Sequence, residues 1–206
     1  MLTNQDIRAF HRTAVLASVD IVDKVRPEEL DRATPCDGWN LDQLLAHMTV
    51  QHRGFAAAAR GDGADPAQWD AATMADAVAA DPAATYAAAA AEVLEAFAND
   101  DVLEASFALP EFGPGAAFPG AQAIGFHFVD YVVHGWDVAR AIDAPFTLPD
   151  DVISAVLPLV FAVPDGDFRT APQSPFARAI EACEGAGGLD RALLHLGRSP
   201  LWTPSS

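Results

Sequence analysis

The chain has 206 residues, 51% of them hydrophobic and 20% charged, so it can bury a core as one domain, or two small ones at most, and bulk disorder is excluded. Its 12 basic and 29 acidic residues give a formal net charge of -17, which repels nucleic acid and anionic membrane over most of the surface. Cys36 and Cys183 stand far apart with no paired ligand spacing, which suggests neither a disulfide scaffold nor a thiolate zinc site and reads as a reducing compartment.

The first residues lack a basic region followed by an apolar run, so no signal peptide is expected. Thr3 followed by Asp6 has the form of a helix start, and a first helix is expected to run to about Arg26, where Pro27 stops it. Ile7, Phe10, Ala14, Ala17, Ile21 and Val25 share one stripe of it. After a turn-rich segment, Asn40 and Gln43 make a capping-box pattern. It predicts a second helix from Leu41 to about Arg60, with Leu41, Leu44, Leu45, Met48 and Phe55 inward and both His47 and His52 along it.

Residues 61–66 break the chain, and Trp69 to about Asn99 is dominated by alanine, with Asp81-Pro82 as a helix restart. Val78, Tyr86, Val93, Leu94 and Phe97 supply packing groups there, which favours an ordered helix over a linker. Ala105 to Gly120, rich in Pro and Gly, reads as a long connection and not a strand pair. A fourth helix is expected from Ala121 to about Ile142. Asp151 to Val163 reads as a short helix interrupted by Pro158 and too short to cross a bilayer. Ser174-Pro175 opens a further helix ending at Gly185, and Leu189 to Leu196 closes with Gly197 as its cap. No useful period-two alternation occurs, so the expected fold is all-α: a four-helix bundle over residues 1–145, with residues 146–206 as a helical extension packed on the same domain.

The fourth helix carries the chemistry. His127, Asp130 and His134 fall within an arc of roughly 60° at about 100° per residue, beside an apolar face of Phe128, Val132, Gly135 and Ala139. Asp130 and His134, one turn apart, can reach a single ion, whereas His127 and His134 lie two turns, roughly 10 Å, apart. A complete site needs a ligand from another helix, and His11, His47 and His52 are the candidates, which wheel positions do not separate. The plainer readings are buried core histidines, and a structural hydrogen bond between Asp130 and His134. Arg140 can meet a cofactor carboxylate, against the plainer reading of an ion pair with Asp137 or Asp143. Trp39 and Trp136 are candidate pocket walls, or simply core.

Three stretches together carry a resemblance. They are Thr34-Pro35-Cys36-Asp37-Gly38-Trp39 with Leu44-Leu45-Ala46-His47, the run from Val129 to Ala141, and Leu193-Leu194-His195-Leu196-Gly197-Arg198-Ser199-Pro200. The chain resembles the DinB-like superfamily, in its actinobacterial mycothiol-dependent maleylpyruvate isomerase-like branch, over nearly its whole length. That resemblance implies a cytoplasmic four-helix bundle with a divalent metal, zinc or nickel, on His47, Asp130 and His134. It also implies a thiol cofactor such as mycothiol or bacillithiol, for which Arg140 and Trp136 are the candidate contacts by their positions on the fourth helix. The family pattern has Glu at the position of Asp130, and this shorter arm keeps His127 as an alternative ligand. Cys36 sits in the family's Thr-Pro-Cys turn and reads as structural.

Three ligands leave an open coordination position, which suits a thiol S-transferase or isomerase acting on an electrophilic small molecule. Two other classes stay open: a non-enzymatic metal-binding bundle, and a metal-assisted hydrolase that uses water. The protein is expected to work as a monomer or homodimer, with neither nucleic acid nor membrane as partner.

Overall fold

A computed structural model describes residues 6–171 and 174–204. Among them are seven α-helices, α1 (Arg8–Val22), α2 (Leu41–Ala59), α3 (Ala75–Ala80), α4 (Pro82–Phe97), α5 (Gly120–Ala141), α6 (Asp150–Ala162) and α7 (Gly188–His195), and two short strands, β1 (Ser106–Ala108) and β2 (Ala117–Pro119). Helix α1 packs along α5 and α2 along α4, and further contacts between α1 and α4 and between α2 and α5 close a four-helix bundle. The fold is all-α apart from the small sheet.

Local chemistry explains most boundaries. Asn40 accepts from the Gln43 N–H and Gln43 returns a bond to the Asn40 N–H, the reciprocal box that starts α2. Asp81 accepts from the Ala84 N–H and Pro82 fills the first position of α4. Thr3 lies outside the described residues; Asp6 accepts from the Arg8 N–H at the start of α1. Helix α1 ends at Val22, earlier than Arg26, but Val25 stays buried in the turn that follows. Gly197, at φ +79°, closes α7 as its left-handed cap.

The structure corrects three expectations. Residues 106–119 do form a strand pair, with Phe107 opposite Phe118 and the turn made by Gly113 and Gly115 at positive φ. Strands of three residues are too short to show alternation, and burial of the Phe107 ring in the core holds them in place. Helix α6 runs through Pro158 unbroken, because the exposed ring leaves Val152, Val156 and Val160 buried on the opposite face. Residues 174–185 form no helix: the Ile180 N–H goes to the Leu194 carbonyl and the Ala179 N–H to Asp165, so tertiary partners take the donors a helix would use.

The apolar interior has three parts. One fills the bundle around Leu44, Leu45, Met48, Tyr86, Tyr131 and Val138. A second, around Phe55, Phe97, Phe107 and Ile124, sits at the hairpin end. The third joins α5 to α6 and α7 through Phe128, Val132, Trp136, Val156 and Leu193. No described helix is long and apolar enough to cross a membrane.

Candidate metal centre

Adjacent helices α2 and α5 position the predicted ligands. His47 lies in the second turn of α2, and Asp130 and His134 lie one turn apart on α5. The rings of His47 and His134 meet edge-on with centroids 5.5 Å apart. Among the described residues no hydrogen bond falls on His47, on the Asp130 carboxylate, or on Nε2 of His134, whose Nδ1 is 2.9 Å from Asp137 Oδ2. Burial, and then the charge of His134, pushes His47 down to about 3, so its imidazole is neutral with a lone pair available. Burial raises the Asp130 carboxyl, against the pull of His134 and Arg198.

A second set stands behind His134. The loop before α2 is closed by Thr34, which donates to the Trp39 carbonyl, and by Gly38 at φ +80°, and it brings Cys36 against α5. Asp137, fully buried, receives at Oδ2 the Cys36 thiol at 3.1 Å, His134 Nδ1 at 2.9 Å and Arg198 Nη2 at 3.3 Å, while its Oδ1 is buried without a partner. Burial opposes charge on His134, but Cys36 and Asp137 outweigh it and push the ring up to about 10. Burial likewise opposes ionisation of Asp137, and Arg198 and His134 hold its carboxyl below the usual range. Cys36, His134 and Asp137 are the one set of three donors drawn within 4.8 Å of one another among the described residues. With Arg198 Nη2 also 3.4 Å from the Cys36 sulfur, a guanidinium already occupies the place from which a cation would be attracted.

The two sets differ in chemistry. Cys36, Asp137 Oδ2 and Arg198 bond to one another, whereas among the described residues His47, the Asp130 carboxylate and the Nε2 edge of His134 have no hydrogen-bond partner. The latter three are donors of the types a divalent cation takes, although their ligand atoms do not all lie within 4.8 Å of one another, and Asp137 bonds His134 at Nδ1, the edge opposite Nε2. An open cavity of about 250 Å³ reaches His47 from the surface, walled by Trp39, Asp42, Gln43 and three alanines of the 71–75 segment. Trp39, 39% exposed, lies with its ring 4.8 Å from that of His47.

His127 does not join this set. Its Nδ1 lies 2.8 Å from His11 Nε2 and its Nε2 lies 3.2 Å from His52 Nδ1, so both ring nitrogens are used in a buried chain of three histidines. Burial depresses all three, His11 to about 3. Their contacts are aromatic: His127 and His52 each stack on Tyr131, whose hydroxyl donates to the Met48 carbonyl. Arg140 makes no ion pair with Asp137 or Asp143 among the described residues; its guanidinium donates to the Trp202 carbonyl and lies 5.9 Å from the centroid of the Trp136 ring. Trp136 is buried in the apolar contact with α6 and α7, so both residues face the C-terminal segment and not the unpartnered donors.

Asp137, Arg198 and Glu111 are the residues that sequence reasoning missed. Asp137 carried a readable signal, three residues after His134 on one helix. Arg198 carried a weaker one, in the Gly-Arg-Ser-Pro stretch. Glu111 had none: the hairpin brings it near Asp130, Gln51 Nε2 donates to it at 2.8 Å, and burial raises its carboxyl.

Two uncharacterized proteins of Mycobacterium tuberculosis, Rv0738 of strain H37Rv and its counterpart in strain CDC 1551, are each 27% identical over 189 residues, which span 92% of this chain and 96% of theirs. The crystal structure of the mycothiol-dependent maleylpyruvate isomerase superposes with a TM-score of 0.57 at 14% identity, over 74% of this chain and 65% of that one. A mutant of the isomerase superposes equally well at 12% identity. At such identity the likeness is one of fold, and this chain spans less than two thirds of the isomerase. The family described as the mycothiol maleylpyruvate isomerase N-terminal domain matches residues 11–139, from α1 to the end of α5, and it is to this family that the chain belongs.

Proposed function

We propose that the protein binds one divalent metal ion, zinc or nickel, through His47, Asp130 and His134, and that it acts as a thiol-dependent S-transferase or isomerase of the mycothiol type. The observation that carries this reading is the set of unpartnered donors that α2 and α5 offer, His47 with its ring 5.5 Å from that of His134 and Asp130 one turn before it, with Asp137 already hydrogen-bonded to the far edge of His134. A divalent ion held there with an open position lowers the pKa of a bound thiol and supplies a thiolate at neutral pH.

The chain's own residues do the rest. His47 is neutral and needs no deprotonation, while His134 gives up one proton on ligation and keeps the other, on Nδ1, toward Asp137. Asp130 supplies the single negative charge of the set. The cavity beside His47 gives a ligand access, with Trp39 as its aromatic wall. A low-molecular-weight thiol cofactor fits work in a reducing cytoplasm.

Metal content of the purified protein and of the His47→Ala and His134→Ala variants tests the ligands; full retention in both variants removes the reading. Titration of the metal-loaded protein with mycothiol, bacillithiol and glutathione tests the chemistry. Saturable binding that requires the metal supports the transferase or isomerase. A second reading, an ion that only pins α2 to α5, is favoured by the size of the cavity, about 250 Å³ against the ~300–1,000 Å³ usual for small-molecule pockets. Metal retention without any thiol binding selects it.

A further inference from the structure

The cavity beside His47 has one aromatic wall and one acidic wall. Trp39 is held in place by the Thr34 hydroxyl on its carbonyl and by its own N–H on the Cys36 carbonyl, and it remains 39% exposed. Asp42 sits in the first turn of α2, with its backbone N–H on the Leu30 carbonyl. Its Oδ1 is buried without a hydrogen-bond partner among the described residues, and burial, with the charge of Asp31, raises its carboxyl. Gln43 directs its Oε1 to the Asn40 N–H, and the alanines of the lining bring no polar side chain. Among the described residues no Lys or Arg lines the cavity, and His47 is neutral, so the acid meets no cation there.

We propose that this cavity is a subsite for a primary ammonium group, recognised by the Asp42 carboxylate and the Trp39 ring, on a molecule whose other end reaches His47 and the ion proposed there. This deepens the metal reading and rests on it for what lies beyond His47. A buried acceptor left unpaired costs free energy, and an ammonium returns a charge-assisted hydrogen bond to it. The negative face of an indole attracts a cation and repels an anion. A net charge of -17 enriches cations over the surface from which the cavity opens. A carboxylate in the same place faces Asp42 with no cation to offset it, and an alcohol gains the hydrogen bond without the charge. The volume, about 250 Å³, suits a short amine.

The test uses the full chain without metal, titrated with n-propylammonium, n-propanol and propionate, probes of similar size and different charge. Binding is followed by NMR at the Trp39 indole N–H and at the backbone amides of Asp42 and Ala72. Propylammonium is expected to shift these signals saturably and to bind roughly tenfold more tightly than propanol, with propionate leaving them in place. Asp42→Asn weakens propylammonium roughly tenfold and Trp39→Leu roughly threefold, whereas Asp20→Asn, which removes an exposed carboxylate of α1, leaves it unchanged. The proposal is overturned if propylammonium fails to saturate, if propanol or propionate binds within twofold of it, if Asp42→Asn binds it within twofold of wild type, or if Asp20→Asn weakens it as much. In zinc-loaded protein the same order is expected of three thiols that differ only at the far end, cysteamine above 2-mercaptoethanol above 3-mercaptopropionate; equal affinities overturn the link between subsite and ion. Ammonium selectivity in a protein that binds no zinc refutes the metal reading and leaves the subsite standing, and zinc binding without that selectivity does the reverse.

Discussion

Acidification from pH 8 to pH 5 destabilises the bundle through its buried histidine chain, and His11 gives the most direct measure. Burial lowers His11 from 6.5 to about 3 in the folded protein, and the ring bonds only to another neutral imidazole, at 2.8 Å. Between those values the unfolded chain binds a proton that the folded chain refuses. The stabilisation is therefore fully present above about 6.5 and is lost as pH falls toward 3. At pH 5 the protonated fractions of the two states give a loss of about 2 kcal/mol from His11 alone, a large share of the stability of a domain this size. Urea unfolding of wild type and His11→Phe at pH 8, 7, 6 and 5 reads it out. The variant starts lower at pH 8 by about 1–3 kcal/mol, since His127 Nδ1 loses its partner, but its profile is flatter. Asp42, Glu111 and Asp130, whose values are raised, titrate in the opposite sense and are common to both proteins, so they cancel in the difference. The gap between the two proteins should narrow by about 2 kcal/mol between pH 8 and pH 5, and parallel profiles would refute the reasoning.

Other changes separate packing from function. Gly120→Ala places a Cβ 1.8 Å from the Val102 carbonyl oxygen, a backbone atom that cannot step aside, and should destabilise by at least about 1–3 kcal/mol in denaturant titration. Tyr86→Phe removes one buried hydroxyl bond to Ser18, which keeps its bond to the Val15 carbonyl, so the loss is about 0.5–1.5 kcal/mol; a loss above 3 would mean the hydroxyl does more than pair with Ser18. His127→Ala should lose stability but keep metal, and Asp130→Ala the reverse, which elemental analysis beside thermal melts distinguishes. Arg169→Met strands carbonyls at Pro164, Ala177 and His195 and should raise hydrogen exchange in the C-terminal segment first, with the bundle helices still protected.

Helices were legible because their signals are local. The Asn40 and Gln43 box, the Asp81-Pro82 restart and the Gly197 cap act within four residues of the bonds they make, and apolar spacing at 3.6 residues marks the buried face without reference to any partner. The same locality misled at residues 174–185, where the cap and composition suit a helix but distant partners at Asp165 and Leu194 take the backbone donors. It also missed the hairpin, which is held by the burial of one phenylalanine and not by alternation.

The sequence by itself determined the α-helical class, the α2 and α5 faces, and the spacing that sets Asp130 and His134 on adjacent turns, because each depends on the geometry of a single helix. Only the tertiary structure decided which histidine does what. His127 and His134 look equivalent on the wheel, yet one is sealed between His11 and His52 and the other meets His47, Cys36 and Asp137. Those outcomes turn on contacts across 98 residues to Cys36 and, from Asp137, across 61 to Arg198. Packing of whole elements sets contacts at such separations, and no local spacing encodes them.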